Sequence, residues 1–275
     1  MHNLALHYTE FKGDIVVTWN AEDYAESSKA QAGWAVELMN RIPLDGHEHL
    51  LDLGCGDGRI TALLADRVHQ GSVVGLDQSP EMVALAQEAY ANRSPHLTFI
   101  ERDVADLDFH NEFDLIFSNA CLHWAPDHQP VMDGIARALR PGGRAMLSMG
   151  GRGNAQPVRD TLSEVISRPN WSEYFQDFTF PYSFLGPNDY APMLQNAGLS
   201  ADRIELVDKD MVHTPDDFEG WFRTTWIPYI QRVPEPNRPQ FIAEAMEQYR
   251  TVNPIQDDGL VHTPMVRLEV AATAG

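Results

Sequence analysis

The chain has 275 residues, of which 43% are hydrophobic and 22% are charged, as expected for a globular protein with one large domain or a domain and a cap. Its formal net charge of −20 argues against binding to nucleic acid or to an anionic membrane surface. Two cysteines, Cys55 and Cys121, are too few for a disulfide framework. With no signal peptide pattern and no membrane-spanning run, we expect a cytoplasmic location.

The chain begins with a segment that carries no regular pattern and then changes to a helical one. Residues 1–20 lack a clear period and are expected to form a loose arm. Over residues 27–42, apolar side chains recur at helical spacing, and Pro43 and Gly46 follow. The pattern therefore predicts a first helix immediately before the next motif.

That motif is an apolar run, residues 49–53, that breaks into alternating glycines and continues as a helix. The glycines are Gly54, Gly56 and Gly58. A dinucleotide site usually reads G-x-G-x-x-G and places a pyrophosphate on the helix N-terminus. Here the spacing is G-x-G-x-G, with Asp52 before the motif and Asp57 within it. Two carboxylates at this position would repel a pyrophosphate but attract an ammonium group. The loop thus predicts a nucleoside-like ligand with a cationic tail, a description that S-adenosylmethionine fits.

Further strands alternate with helices, which predicts a doubly wound, mostly parallel α/β sheet with helices on both faces. The predicted strands after the first one cover residues 72–77, 97–100, 113–119 and 144–149. Polar residues follow several of them: Asp77 about twenty residues beyond the glycine loop, then Asp103, then the stretch 119–124. Because ligands bind at the carboxyl ends of parallel strands, these residues are expected to converge on one edge of the sheet.

After Gly150 the sequence becomes rich in aromatic and turn residues, which predicts helical and aromatic-rich cap insertions around an apolar enclosure. Two more strands are expected, over residues 204–207 and 265–271, the latter returning to the sheet. We therefore divide the chain into an arm and lid helix (1–48), a cofactor-binding core (49–150), and the cap with the last strands (151–275).

With these motifs in place, the chain resembles the class I S-adenosylmethionine-dependent methyltransferases, which have a Rossmann-like seven-stranded sheet. The resemblance rests on residues 50–58, 75–82, 113–124 and 139–143, together with Asp103. Trp19, Tyr24, Gln31 and Trp34 before the loop, with Leu122-His123-Trp124 after the fourth strand, are similar to the trans-aconitate, malonyl-carrier and juvenile-hormone-acid methyltransferase group. That group esterifies carboxylates.

The resemblance implies roles for individual residues. The residues implied at the cofactor are Tyr24, Gln31, Asp52, Gly54, Cys55, Gly56, Asp77, Gln78, Met82, Asp103, Val104 and Asn119. In this assignment the backbone of Gly54–Gly56 runs beside the amino-acid tail of the cofactor. Asp77 accepts hydrogen bonds from the ribose hydroxyls, and Asp103 accepts one from the amino group of adenine. His123 and Trp124 line the acceptor site, where His123 binds the acceptor or, if the acceptor is a hydroxyl or carbon acid, acts as a general base. No metal is expected, and the partner is a small-molecule acceptor.

Two other functions fit parts of the sequence. A Rossmann-type oxidoreductase using NAD(P) is one, although the glycine spacing and the flanking acids count against it. A catalytically silent S-adenosylmethionine-binding module is the other, and the apolar cap counts against that one. The sequence gives no indication of the oligomeric state.

Overall fold

The computed structural model of the protein describes residues 29–90 and 92–275. Trp19, Tyr24 and the expected arm (1–20) lie outside these residues, as do the first two residues of the predicted helix 27–42 and the side chain of Gln31. The helices are α1 (Lys29–Met39), α2 (Arg59–Ala65), α3 (Pro80–Tyr90), α4 (Gln129–Ala138), α5 (Gln156–Ile166), α6 (Pro187–Ala197), α7 (Pro215–Thr225), α8 (Ile227–Ile230) and α9 (Arg238–Val252). The strands are β1 (His49–Leu53), β2 (Ser72–Asp77), β3 (Leu97–Glu101), β4 (Phe113–Asn119), β5 (Leu139–Gly150), β6 (Leu199–His213) and β7 (Val261–Ala274).

The strands form one seven-stranded sheet in the order β3-β2-β1-β4-β5-β7-β6. Strands β1 to β5 pair in parallel, whereas β7 runs antiparallel to β5. The predicted seven-stranded, mostly parallel sheet is confirmed. The strand order reverses direction between β1 and β4, so the carboxyl ends of these two strands form the switch point where α/β sheets bind ligands.

Neighbouring residues on a strand face opposite sides of the sheet, and both sides are covered. Leu50 and Phe117 pack with residues of α1, α2 and α3 in one apolar cluster. Leu51 and Ile116 pack with residues of α4 and α6 in another. This burial on both faces explains why β1 and β4 are almost continuously apolar rather than alternating.

Two compact units make up the chain. Of the described residues, the larger unit contains 30–90, 92–154, 182–209 and 266–275, and the smaller contains Lys29, 155–181 and 210–265. The smaller unit has an aromatic core in which Phe178 lies 4.4 Å from Tyr229 and Phe218 lies 4.7 Å from Tyr249, measured between ring centroids. The prolines of residues 228–239 start or interrupt its helices, as their lack of an N–H group predicts.

No helix within residues 29–90 and 92–275 has both the length and the apolar composition needed to cross a membrane.

An acidic side chain in β7 is buried in the larger unit and is balanced by two arginines. Glu269 is 4% exposed. Its Oε2 accepts a hydrogen bond from Arg41 Nη1 at 2.6 Å and a second one from Arg203 Nη2. A buried carboxylate needs such partners, because its hydration is lost on folding. The two ion pairs therefore connect the segment that follows α1, and strand β6, to the last strand.

We predict that Glu269→Ala lowers the free energy of unfolding by about 1–3 kcal/mol, because both arginines lose their buried partner while keeping partial access to water. Glu205→Ala is the matched control, since Glu205 pairs with the same Arg203 but at the surface. Its expected cost is below about 1 kcal/mol. Urea unfolding of both variants checks this, and equal losses would contradict the role given to Glu269.

Candidate active site

The glycine loop joins the end of β1 to α2 and is fastened to the end of β2. The amides of Gly54 and Cys55 both donate to the Leu76 carbonyl, at 2.8 and 2.9 Å. Gly54 has φ of 72°, and a Cβ at this position would overlap the side chain of Cys121. Glycine is therefore required here both by the left-handed backbone and by the close approach of Cys121.

Gly56, two residues on, faces a different environment. Its φ is 54°, and among the residues that the structure describes no atom lies within 4 Å of a Cβ built on it. The backbone at Gly56 thus borders open space at the carboxyl end of β1. The loop is therefore closely packed at Gly54 and has space beside its backbone at Gly56. A ligand can lie against the backbone at Gly56.

The carboxylate of Asp77, at the end of β2, is hydrogen-bonded to the backbone of the glycine loop. Its Oδ2 accepts the Gly56 N–H at 3.0 Å, and its Oδ1 accepts the Ser79 N–H at 2.9 Å. Burial raises the pKa of Asp77, while these amides and that of Gln78 act in the opposite direction. Since a carboxylate has about four lone-pair sites, Asp77 retains acceptor capacity for hydroxyl donors.

Asp52 lies behind the loop and is only 2% exposed. Thr61 Oγ1, from α2, donates to its Oδ2 at 2.7 Å. Burial and, to a smaller extent, the negative charge of Asp77 raise the pKa of Asp52 to about 7, although the hydrogen bond from Thr61 acts in the opposite direction. The two acids, with Asp103, also add to the burial that raises the pKa of Cys121, which reflects how closely these strand ends approach one another.

The remaining residues assigned to the cofactor follow β2 and β3. Met82 is buried on α3, and Gln78 is half-buried. Asp103 is exposed, and its Oδ1 accepts the Ala105 N–H at 2.8 Å, which is a local turn contact. Val104 packs at the edge of the apolar cluster beneath the sheet. These positions lie at the same edge of the sheet as the glycine loop.

A sharp turn after β4 carries the chain from Asn119 to His123. Ala120 has φ of 58°, an unfavourable value for a residue with a Cβ, and its N–H donates to the Ser148 carbonyl at 2.8 Å. Leu122–Trp124 then form one 3₁₀ turn. The turn puts His123 and Trp124 at the carboxyl ends of β4 and β5.

His123 is held as a neutral imidazole with a defined tautomer. The Gly150 N–H donates to its Nδ1 at 3.3 Å, so the ring proton resides on Nε2. Loss of hydration and, to a smaller extent, the positive charge of Arg267 lower the pKa of His123 to about 3. Tyr182 and Phe184 flank the ring at 5.9 Å between centroids. The side chain therefore offers a hydrogen-bond donor and not a basic nitrogen.

Arg267 was missed by the sequence analysis, although it lies beside these residues. It is 3% exposed, and its Nη2 donates to Asn119 Oδ1 at 3.2 Å and to the Ser148 carbonyl at 2.8 Å. A signal was present, because Arg267, like Glu269, is a charged residue among the apolar residues of the predicted final strand. In the part of the chain that the structure describes, no group of three His, Cys, Asp or Glu side chains is arranged to hold a metal ion.

The strand order, the glycine loop and the acid at the end of β2 define a class I S-adenosylmethionine-dependent methyltransferase, and the chain is such an enzyme. The sequence pattern of the methyltransferase domain matches residues 50–143. S-adenosylmethionine is the cofactor, and the NAD(P) and silent-module alternatives are not supported.

More particular similarities extend over most of the chain. Trans-aconitate 2-methyltransferases of Shigella flexneri serotype 5b and Escherichia coli O157:H7 are each 28% identical over 255 residues, which is 92% of this chain and 97% of theirs. A methyltransferase structure from Bacillus halodurans superposes with a TM-score of 0.60 at 17% identity, covering 87% of this chain and 97% of that one. Phosphoethanolamine N-methyltransferase 2 of Haemonchus contortus, solved with S-adenosylhomocysteine, gives 0.59 at 18% identity, covering 92% of this chain and 56% of that one.

The two loop glycines should respond differently to the same substitution. We predict that Gly54→Ala lowers stability by about 2–4 kcal/mol, because left-handed strain adds to the overlap with Cys121. Gly56→Ala should cost about 1–2 kcal/mol from backbone strain alone, yet weaken S-adenosylhomocysteine binding at least tenfold because the new methyl group enters the open space. Thermal unfolding and calorimetry measure both effects, and unchanged affinity in a folded Gly56→Ala protein would contradict this geometry.

The buried carboxyl of Asp52 should make stability fall with rising pH. Its folded-state pKa of about 7 lies above the unfolded value of about 4, so the neutral form stabilises the fold below pH 4 and this contribution is lost as pH rises through 7. Relative to wild type, ligand-free Asp52→Asn should therefore gain up to about 4 kcal/mol of stability between pH 4 and pH 8. Asp66→Asn, at an exposed ion pair, is the control. A constant difference between Asp52→Asn and wild type would refute the raised pKa.

Proposed function

We propose that the enzyme transfers the methyl group of S-adenosylmethionine to a carboxylate oxygen of a small organic acid. The observation that carries this proposal is the state of His123, which is neutral and already protonated on Nε2. A hydroxyl acceptor needs a base to remove its proton, whereas a carboxylate is ionised at pH 7 and needs none. The similarity to trans-aconitate 2-methyltransferases supports the same acceptor chemistry.

The residues that hold the cofactor in this proposal lie along the carboxyl ends of β1 to β4. Asp77, with Gln78 beside it, accepts hydrogen bonds from the ribose hydroxyls. The backbone of Gly54–Gly56 runs beside the amino-acid tail, and Asp52 stabilises the glycine loop from behind. Met82, Asp103 and Val104 surround the adenine. Asn119 meets the amino and carboxylate groups of the tail. The roles that the resemblance implies for Gln31 and Tyr24 concern side chains outside the described residues. The open space at Gly56 and the free acceptor capacity of Asp77 support this fit.

The chain's contribution to the reaction is positioning. When bound, the cofactor would supply an electrophilic methyl group on a sulfonium, and its transfer to a carboxylate oxygen would give a methyl ester and a neutral thioether. No proton is released. His123 Nε2–H and Trp124 hold the acceptor so that one carboxylate oxygen faces the methyl group in line, and orientation of this kind supplies large rate gains.

The direct test is the identity of the product. Purified enzyme would be incubated with methyl-labelled S-adenosylmethionine and a panel of small acids, phenols and amines that includes trans-aconitate. We expect label in a product that releases labelled methanol on mild alkaline hydrolysis, as a methyl ester does. Label that survives this treatment, as in an ether, amine or C-methyl product, would refute carboxylate methylation.

Substitution of His123 separates binding from base catalysis. Because glutamine keeps a hydrogen-bond donor, we predict that His123→Gln raises KM by less than about tenfold and leaves kcat within about threefold, while His123→Ala raises KM further. With a His123 pKa of about 3, the wild-type rate should show no inflection from this residue between pH 5 and pH 8. A fall of roughly 10²–10⁴ in kcat for His123→Gln at unchanged KM would identify His123 as a base.

A further inference from the structure

The smaller unit carries an arginine whose charge no other described residue balances. Arg232 lies two residues after α8, and its backbone N–H donates to the Tyr229 carbonyl at 3.3 Å. Its side chain is half-buried. In the part of the chain that the structure describes, no carboxylate forms an ion pair with the Arg232 guanidinium, and its Nε is buried without a hydrogen-bond partner. Taking part of a guanidinium out of water is costly when no acceptor replaces the lost hydration.

A phenylalanine ring lies next to this guanidinium. The centre of the Arg232 guanidinium is 5.7 Å from the centroid of the Phe178 ring, a cation–π distance. Phe178 packs in turn on two buried rings, with its centroid 4.4 Å from that of Tyr229 and 5.4 Å from that of Phe175. The aromatic core therefore fixes the ring beside the cation. A ring neutralises no charge and supplies no carboxylate oxygen, so the guanidinium stays available to an anion.

Another arginine of the same unit shows what Arg232 lacks. Arg168 Nη1 pairs with Glu244 Oε2 at 3.3 Å, and its Nη2 donates to Gln248 Oε1 at 2.7 Å, so its donors are used within the protein. Arg232 has the same planar set of donors without these acceptors. A guanidinium binds a carboxylate through paired N–H···O bonds. Phe178 is itself only half-buried, so its exposed part offers apolar surface to the rest of such a ligand.

We propose that Arg232 and Phe178 form a binding site on the smaller unit for a small organic acid. The guanidinium binds the carboxylate, and the ring contacts an aromatic or aliphatic skeleton. This site consists of residues of the smaller unit alone and does not depend on the function proposed above. Two kinds of ligand share the required chemistry, namely the acid that is methylated and a separate acid that is bound without being methylated.

Calorimetry with three matched probes tests the recognition of charge and skeleton separately. Phenylacetate has both features, phenylacetamide has the ring without the charge, and acetate has the charge without the ring. The protein is saturated with S-adenosylhomocysteine, so that no probe enters the cofactor site. We expect wild type to bind phenylacetate at least about tenfold more tightly than either other probe, because each of those lacks one of the two contacts.

Substitutions of Arg232 assign the binding to this site. Arg232→Gln should weaken phenylacetate binding by roughly ten- to a hundredfold and change phenylacetamide binding by less than about threefold. Arg232→Lys keeps the charge but loses the planar fork, so its loss should be about three- to tenfold. Arg250→Gln is the matched control, because it removes an exposed positive charge from α9 of the same unit. It should leave all three affinities unchanged.

Kinetics then separates the two kinds of ligand. If the bound acid is the methyl acceptor, Arg232→Gln should raise the KM of the acceptor about tenfold or more, while Arg250→Gln should not change it. If the bound acid is a separate ligand, the KM of the acceptor should be the same in both variants although phenylacetate affinity falls in Arg232→Gln. Either result supports the site.

Three results would overturn the assignment. The first is no measurable binding of phenylacetate to wild type, and the second is equal affinity of wild type for phenylacetate and phenylacetamide. The third is unchanged phenylacetate affinity in Arg232→Gln or, if thermal unfolding shows that this variant does not fold, in Arg232→Lys. Absence of a methyl ester product would refute the proposed function alone, since the Arg232 assignment depends only on the affinity ratios.

Discussion

The active-site edge of this protein depends on the hydrogen bonds that Asp77 accepts from the amides of Gly56 and Ser79. These two bonds join the loop after β1 to the start of α3, so the ends of two neighbouring strands are held by one carboxylate. Because the amides stabilise the charged form, they counteract the burial that raises the pKa of Asp77. The result is a hydrogen-bond acceptor at a fixed position beside the open space at Gly56.

The rest of the site can be understood from the environments of the ionisable groups along one edge of the sheet. At the β1–β2 end, burial raises the pKa values of Asp52 and Asp77, and Asp77 keeps its oxygens directed at the glycine loop. At the β4–β5 end, loss of hydration and the positive charge of Arg267 keep His123 neutral. In our proposal, His123 therefore donates a hydrogen bond to the acceptor and does not remove a proton from it.

Much of the fold and part of the site could be predicted from the sequence. Alternating strands and helices with a G-x-G-x-G loop have few solutions, and the predicted seven-stranded, mostly parallel sheet was confirmed because local periodicity and turn chemistry agree with it. Gly54 is a good example, since its position after a buried strand already required a special backbone conformation. The division of the chain and the roles of the individual site residues stay predictions.

What could not be predicted depends on contacts between residues far apart in sequence. Arg267 was missed because nothing near it in the chain resembles a motif, and its relation to Asn119 and His123 arises only from the register of β7 on β5. The tautomer of His123 likewise depends on the N–H of Gly150, which is 27 residues away. The left-handed backbone at Ala120 is a third case, because no glycine marks it and the β5 carbonyl of Ser148 stabilises it.

The central claim, that the fixed carboxylate of Asp77 binds the ribose of the cofactor, is tested most directly by calorimetry with S-adenosylhomocysteine and its 2′,3′-dideoxy analogue on wild type and Asp77→Ala. The account predicts that either change alone raises Kd roughly ten- to a hundredfold, and that both together cost little more than one, because they remove the same hydrogen bonds. Additive losses, or wild-type affinity for S-adenosylhomocysteine in folded Asp77→Ala, would contradict it.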